Sequence, residues 1–409
     1  MNILFITLLD IASIDEHNIY ADLMRKLAMD NHNVYIVSPT ERRNKKSTKL
    51  IENIDAIDWH KNVHILRKRI GNIQKTNFIE KGISTVLLEG QLTRAIKKYF
   101  HKVHFNLVIY STPPITLLKP IKYVKRKNNC RSYLILKDIF PQNAVDLGIL
   151  TKTGLKGFLY GRFRKKEIEL YKISDKIGCM SQANVNYILK HNLFLKRECV
   201  EIFPNCIDIV DESLDENEAD ELRKKYDIPL DKCVFVYGGN LGKPQCADFI
   251  IECIKSQKDN PNNFFLIVGD GTDFYKLDNF QKETKQSNFK IMKRLPKDDY
   301  DKMIAACDVG LLFLDYRFTI PNFPSRLLAY MQAKLPVLAC TDLVSDIKAT
   351  LADGKFGWWC PSNDVDSFKK VIDSISKDKL SEMKTNSFNY LLTHFSVESN
   401  IHKLTDEGE

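Results

Sequence analysis

Three stretches in the second half of the chain put glycines and cations where an anion could be gripped. Val236-Tyr-Gly-Gly-Asn-Leu-Gly-Lys-Pro-Gln245 follows an apolar run and precedes a helical pattern. Gly238, Gly239 and Gly242 allow a tight turn and close approach to a ligand. Amides exposed there, with the positive end of the next helix, make an anion site. Lys243 adds a cation; a plain strand-to-helix turn is the alternative. Leu266-Ile-Val-Gly-Asp-Gly-Thr272 repeats the pattern with Gly269 and Gly271, under the same two readings. Within Ile320–Ala339, Pro324-Ser325 reads as a helix start whose free amides, Ser325 hydroxyl and Arg326 could hold a diphosphate. Leu327, Leu328 and Met331 recur at helical spacing, as core residues do.

The first half offers a carboxylate. Asp138 follows the apolar run Tyr133–Leu136. At the end of a buried strand it could orient or deprotonate a hydroxyl, or cap the loop before Pro141. The nine histidines form no HExxH-like pattern and the ten cysteines no CxxC pair, so the cysteines read as free buried thiols of a reducing cytoplasm and no metal site is expected.

Alternating strand and helix signals must position these residues. Strands are expected at Ile3–Leu8, Val34–Val37, Leu107–Tyr110, Tyr133–Leu136, Ile177–Met180 and Val200–Phe203, with helices at Asn18–Met29 and Ile115–Lys127. The polar, basic stretch Glu41–Glu80 reads as a long irregular excursion. Acidic Asp211–Asp220 reads as a linker. The pattern then restarts with strands at Val234–Tyr237, Phe264–Val268, Phe289–Met292, Val309–Leu314 and Val337–Ala339, and helices at Asp248–Ser256, Asp298–Ala306, Ser325–Ala333 and Val365–Ser376. The expectation is two α/β domains, residues 1–205 and 206–389, facing each other across a cleft. Parallel sheets of this kind bind ligands beyond the carboxyl ends of their strands.

The 409 residues suit two domains, and 44% hydrophobic with 28% charged residues is a globular balance. The N-terminal apolar run is too short to span a bilayer, lacks a basic leader, and reads as a first buried strand. Net charge is +9, but residues 1–200 carry 35 Lys+Arg against 17 Asp+Glu, while the remainder is net −9. That asymmetry points the first half toward a polyanion, an anionic membrane surface rather than nucleic acid. Gly154-Leu-Lys-Gly-Phe-Leu-Tyr-Gly-Arg-Phe-Arg-Lys-Lys166 mixes aromatics and cations. It suits a membrane interface, or a helix packed on its own domain.

Taken in order, these segments resemble the GT-B glycosyltransferases, specifically the retaining group called family 4, across nearly the whole chain. Pro204-Asn-Cys-Ile-Asp208 is similar to that group's Pro-Asn-Gly-Val/Ile-Asp interdomain signature, with Cys206 for glycine. Gly239-Asn-Leu-Gly242 and Gly269-Asp-Gly271 match its glycine turns, and Pro324-Ser-Arg-Leu-Leu-Ala-Tyr-Met331 with Pro336-Val-Leu-Ala339 its donor-phosphate helix. Lys137-Asp-Ile-Phe-Pro-Gln142 resembles the Asp-Leu-Trp-Pro segment of members that build bacterial capsule and O-antigen, and Ser174-Asp-Lys-Ile177 their Ala-Asp-x-Ile strand.

The resemblance implies two Rossmann-like domains, with a C-terminal helix at 390–409 packing back on the first. It implies a UDP- or GDP-sugar bound by Gly239, Asn240, Gly242, Lys243, Gly269, Asp270, Gly271, Arg294, Pro324, Ser325, Arg326 and Leu327, without a metal. The acceptor, carried on a polyprenyl diphosphate, then meets Asp138, and His17 or Glu16 could face it too. Such an enzyme works in the cytoplasm, peripheral on the inner face of the cell membrane. The sequence also departs from the pattern. Two glutamates expected around the phosphate helix are Pro321 and Ala329, the usual Arg and Lys of the first turn are Asn240 and Gln245, and the N-terminal Gly-Gly loop reads Asp10-Ile-Ala-Ser-Ile-Asp-Glu-His-Asn18. Pro321 and Ala329 leave open a non-catalytic partner subunit. A sugar-nucleotide epimerase is the other alternative, which the Pro-Asn-Cys-Ile-Asp and Asp-Ile-Phe-Pro segments disfavour.

Overall fold

The structure, a computed structural model, describes residues 1–73, 78–113 and 115–406, without the side chains of residues 78, 79, 81, 82 and 378. Residues 74–77 of the Glu41–Glu80 stretch and the last three of 390–409 lie outside the described residues. The chain divides into two compact units, residues 1–208 with 397–409, and residues 209–396.

In the first unit, eight strands are ordered β3-β4-β2-β1-β5-β6-β7-β8. They are β1 (Asn2–Ile6), β2 (Asn33–Glu41), β3 (Lys49–Glu52), β4 (Val63–Ile70), β5 (Leu107–Thr112), β6 (Arg131–Leu136), β7 (Lys176–Cys179) and β8 (Val200–Ile202). All neighbours are parallel except the β3–β4 edge pair. The central strands are continuous apolar runs because helices cover both faces. The strand order reverses between β1 and β5, which opens a crevice at their carboxyl ends.

The Glu41–Glu80 stretch is not an irregular excursion. It holds β4, which pairs with β2 from Val34–Val63 to Glu41–Ile70. Val63, Ile65, Leu66 and Ile70 are buried along it. Its Arg67 turns inward and bonds Asp10 Oδ1 through Nε (3.1 Å) and Nη2 (2.5 Å). The loop after β1 is thereby fixed without the glycine pair, helped by the Ile11 amide on Ser38 Oγ at 2.7 Å.

The second unit has one parallel sheet, β11-β10-β9-β12-β13-β14. Its strands are β9 (Cys233–Asn240), β10 (Asn263–Asp270), β11 (Phe289–Lys293), β12 (Val309–Phe313), β13 (Val337–Thr341) and β14 (Gly357–Pro361). Part of the acidic Asp211–Asp220 stretch is not linker but the start of a helix, Glu216–Lys225. A reciprocal capping box begins it, Asp215 bonding the Glu218 amide and Glu218 the Asp215 amide. The segment returning to the first unit is not one helix over 390–409. A helix ends at His394, and two short turns follow at Val397–Asn400 and His402–Thr405. Lys403 Nζ bonds Ile202 O at 3.0 Å.

The second sheet also reverses order, between β9 and β12. These two strands share only two register pairs, Phe235 with Val309 and Val236 with Gly310. Beyond them the strands part, and the side chain of Tyr330 enters the gap. Its hydroxyl accepts from Gly238 N (3.1 Å) and donates to Leu311 O (3.0 Å), bridging the parted strands. Its ring lies over Gly310, where a β-carbon would come within 2.5 Å of the ring. Burying an aromatic ring of this size contributes about 2–3 kcal/mol, and both hydroxyl bonds are satisfied.

Candidate functional site

The crevice at the β9–β12 reversal gathers most of the residues expected to hold a diphosphate. Gly239 sits at φ +127°, and a β-carbon there would meet Arg326 Nη2 at 2.5 Å. Only glycine fits both the backbone and the guanidinium. The Arg326 guanidinium lies over the Tyr237 ring, 4.1 Å from its centre. The Tyr237 hydroxyl donates to Asn240 O at 2.7 Å, which ties the ring to the turn. Tyr300 closes the cluster from the helix Lys297–Ala305; a β-carbon on Gly238 would overlap its hydroxyl. Arg326 is thus held over the Tyr237 ring and has no carboxylate partner among the described residues. A guanidinium with no carboxylate across its fork can take a planar oxyanion.

The second glycine turn lies beside the first. Gly269 pairs with Gly239 and Asp270 with Asn240 across β9 and β10. A β-carbon on Gly269 would run into Gly239 O, and one on Gly271 (φ +142°) into Leu241 O. Leu241 N donates to Asp270 O at 2.7 Å. These two glycines therefore serve the packing of one turn on the other. The first turn is tied by Gln245 Oε1, which accepts from Gly242 N (3.1 Å) and Asn240 Nδ2 (3.3 Å). Gln245, standing where the family carries a cation, is a loop brace.

The remaining expected donor residues differ in placement. Lys243 opens a short turn and is exposed, and Arg294 is exposed beyond β11. Ser325 is exposed at the start of the helix Arg326–Gln332 and makes no side-chain capping bond. Pro324 precedes it, its carbonyl accepting from Leu327 N at 3.1 Å. Leu327 is fully buried, so its side chain is core and not a ligand contact. Sequence reading missed Asp315 and Arg317. Asp315 is fully buried after β12, gripped bidentately by Arg317 (2.9 and 2.6 Å), and its amide bonds Pro244 O at 2.8 Å. Asp-x-Arg directly after an apolar strand was the available signal.

In the first unit, Asp138 stands at the end of β6. Asn143 Nδ2 bonds its Oδ2 at 2.6 Å, and its buried Oδ1 takes no bond. Burial pushes the carboxyl up to about 6, only partly offset by hydrogen bonding. It does not cap the helix Gln142–Asp146, whose N-cap is Pro141. Lys137 beside it is a functional candidate the sequence reading passed over. Its ammonium bonds Asn205 Oδ1 at 2.5 Å and lies 5.6 Å from the centre of the Tyr20 ring. Burial pulls it down to about 8. A lysine directly after the apolar run Tyr133–Leu136 was the signal. Asn205 and Cys206 are buried, so the junction signature begins anchored in this unit. Asp208 continues that anchoring, accepting from Arg25 Nε at 3.0 Å.

His17 is half exposed and leans on a buried pair, with Nδ1 3.5 Å from Arg25 Nη2 and 3.8 Å from Asp22 Oδ1. Glu16 holds its own loop, accepting from the amides of Ala12 (2.9 Å) and Ser13 (3.1 Å). The helix Gly154–Ile173 resolves into two halves. Glu167, Leu170 and Tyr171 pack inward, while Leu155 (94% exposed) and Phe158 (71%) stand in solvent among Lys156, Arg162 and Lys165. Among the described residues no helix is long and apolar enough to cross a membrane, and no three His, Cys, Asp or Glu side chains are grouped to hold a metal ion. All ten cysteines are unpaired, eight of them buried.

Residues 218–390 match the family model described as Glycosyl transferases group 1. The chain is similar to the probable glycosyltransferase WbjE of Pseudomonas aeruginosa, 25% identical over 289 residues, 68% of each chain. It is also similar to the putative colanic acid biosynthesis glycosyl transferase WcaI of Escherichia coli K12, 28% identical over 137 residues, 33% of this chain and 32% of that one. Among solved structures, Anabaena HepE in complex with UDP-glucose superposes with a TM-score of 0.68 at 14% identity, covering 99% of this chain and 98% of that one. The fold is therefore the GT-B type, two Rossmann-like parallel-sheet domains, and residues 218–390 carry a group 1 glycosyl transferase domain.

Proposed function

We propose that this glycosyltransferase retains anomeric configuration and moves a hexosyl or N-acetylhexosaminyl group from a UDP- or GDP-sugar to a saccharide on a polyprenyl diphosphate, in capsule or O-antigen synthesis. The observation that carries the reading is Arg326, held over the Tyr237 ring and against Gly239 at the strand-order reversal of the group 1 domain. A pre-oriented guanidinium stabilises the charge that builds on a departing diphosphate without having to reorganise. The amides of the Gly239–Gly242 turn and exposed Lys243 add to it. A relative named for colanic acid biosynthesis and a fold neighbour holding UDP-glucose support the substrate class.

The first unit takes the acceptor. Asp138, at about 6, is mostly ionised at neutral pH and can accept the proton of an acceptor hydroxyl. The exposed half of the Gly154–Ile173 helix seats the unit on anionic lipid at the inner face of the membrane, rings among headgroups and cations at phosphates. The donor pocket is the GT-B nucleotide-sugar site and the reaction runs without a metal.

The test is transfer from a panel of UDP- and GDP-sugars to polyprenyl-diphosphate-linked saccharides, with Arg326→Ala alongside. Wild-type product that Arg326→Ala lowers about a hundredfold supports the reading. UDP binding with no turnover on any acceptor overturns it in favour of the non-catalytic subunit that Ala329 suggests. Conversion of the donor without acceptor overturns it in favour of an epimerase.

A further inference from the structure

A second cationic site lies in the first unit, on residues that the donor and acceptor sites do not use. A cavity of about 380 Å³ opens between Thr48 just before β3, the strand β4 and the helix Phe78–Tyr99. Lys68, Arg94 and Lys98 line it with Thr48, Gln91 and Tyr99, and none of its lining residues is acidic. Lys68 alternates with Arg67 along β4, so the two side chains leave opposite faces of the sheet. Arg67 serves Asp10, whereas among the described residues Lys68 Nζ bonds only Thr48 Oγ1, at 3.3 Å. Arg94 Nε bonds the carbonyl of Gly90 at 3.2 Å. Neither Arg94, Lys98 nor Lys68 forms an ion pair among the described residues. Burial and the repulsion of Arg94, Lys98 and Arg69 hold Lys68 below the ordinary lysine range. Gln91 Oε1 is buried there with no bond.

Three cations converging on one cavity without a counter-charge destabilise the empty protein, and an anion in the cavity removes that cost. We infer that this cavity is a phosphate-binding site. Lys68, Arg94 and Lys98 take the oxyanion, and the Gln91 amide, turned about its last bond, donates to it. The same face of the helix continues toward its N-terminus through Leu87 (48% exposed) and Ile83 (58%), at spacings of four. The exposed apolar face beside the cations suits a phosphate borne on a lipid.

The experiment follows thermal stability at low ionic strength with pyrophosphate, and cosedimentation with phosphatidylglycerol against phosphatidylcholine vesicles. It uses wild type, R94Q/K98Q, and K45Q/K46Q, which removes the same charge from exposed positions of the same unit. All three are compared in an Arg326→Ala background, which weakens the donor pocket's phosphate response and leaves what remains equal in all three. R94Q/K98Q is expected to weaken the response by about tenfold or more, K45Q/K46Q by less than about twofold. It is also expected to melt higher than wild type without ligand. A pyrophosphate response lost in R94Q/K98Q assigns free phosphate as a ligand; a loss in R94Q/K98Q seen with anionic vesicles alone assigns a lipid phosphate, since the Gly154–Ile173 helix is the same in all three proteins. The inference is overturned if R94Q/K98Q responds to both probes as K45Q/K46Q does.

Discussion

The guanidinium carbon of Arg326 lies 4.1 Å from the centre of the Tyr237 ring, and the ring's hydroxyl is bonded to Asn240 O. The ring sets the height of the guanidinium over the glycine turn, and the hydroxyl sets the ring. Tyr237→Phe keeps the face and should leave UDP affinity within about threefold. Tyr237→Leu removes it and should cost about 1–2 kcal/mol of binding. Gly239→Ala forces a side chain onto φ +127° and into Arg326 Nη2, costing about 1–3 kcal/mol of stability. Calorimetric titration with UDP and urea melts measure the two effects.

Tyr330→Phe leaves Gly238 N and Leu311 O facing each other across a gap with nothing between them. A loss of about 1–3 kcal/mol is expected from the urea midpoint. Gly310→Ala overpacks the same ring and should cost a similar amount. A double mutant less destabilised than the sum identifies the ring and the glycine as one packing unit.

Asp138 is raised from 3.8 to about 6 by burial. Its folded form holds the proton that the unfolded chain releases first, so its contribution to stability is full below pH ~4 and is lost as pH rises through ~6. Asp138→Asn should flatten that limb, worth about 2–3 kcal/mol, and melt higher than wild type at pH 8. Transfer should rise through pH ~6 in wild type only. Melting temperatures and initial rates across pH 4–8 measure both.

Lys137 is lowered from 10.5 to about 8. Here the unfolded chain binds the extra proton, so stability rises as pH climbs from ~8 toward ~10.5. Lys137→Met should remove that slope and stabilise the protein at pH 7. Turnover at pH 7 should nonetheless fall, because the Asn205 contact and the cation are lost together. Melting curves at pH 7 and pH 10, with kcat at pH 7, measure both.

Leu155→Asp and Phe158→Asp change only exposed positions, so melting should move by less than about 0.5 kcal/mol. Each should weaken cosedimentation with anionic vesicles by about tenfold, the worth of one apolar side chain withdrawn from the interface. Transfer to a water-soluble acceptor analogue should be unchanged.

Most strands of the two sheets were legible because burial on two faces writes them as unbroken apolar runs, such as Val234–Tyr237, whereas the edge strands β3 and β14, less buried, drew no expectation. β4 was not legible either, because Arg67, Lys68 and Arg69 hide its apolar positions; its pairing with β2 and β3 identifies it. The helix Glu216–Lys225 could have been read from Asp215 and Glu218 at capping-box spacing, but the acidic composition masked it. At the site, the glycine turns and Arg326 stood out in sequence. Their mutual fit did not, since it depends on the register that sets Gly269 against Gly239 and on Tyr330 in the β9–β12 gap. Lys137 and Asp138 could be placed at a strand end, but their shifted proton affinities follow from burial, which no local pattern records.

The amide of Val397 bonds the carbonyl of Ile207 at 3.0 Å, so the chain leaves the second unit beside the point where it entered. The second unit is a single uninterrupted insert whose two ends meet, while the first is split around it. During synthesis the insert can finish folding as soon as it emerges. The first unit must wait for its last segment, with Lys403 on Ile202 and the Arg131 bond to Asp406 O at 2.7 Å, to close it. Synthesis therefore supplies every residue of the second unit before the first unit has its last segment, and the two units are completed in the reverse of the order in which they begin.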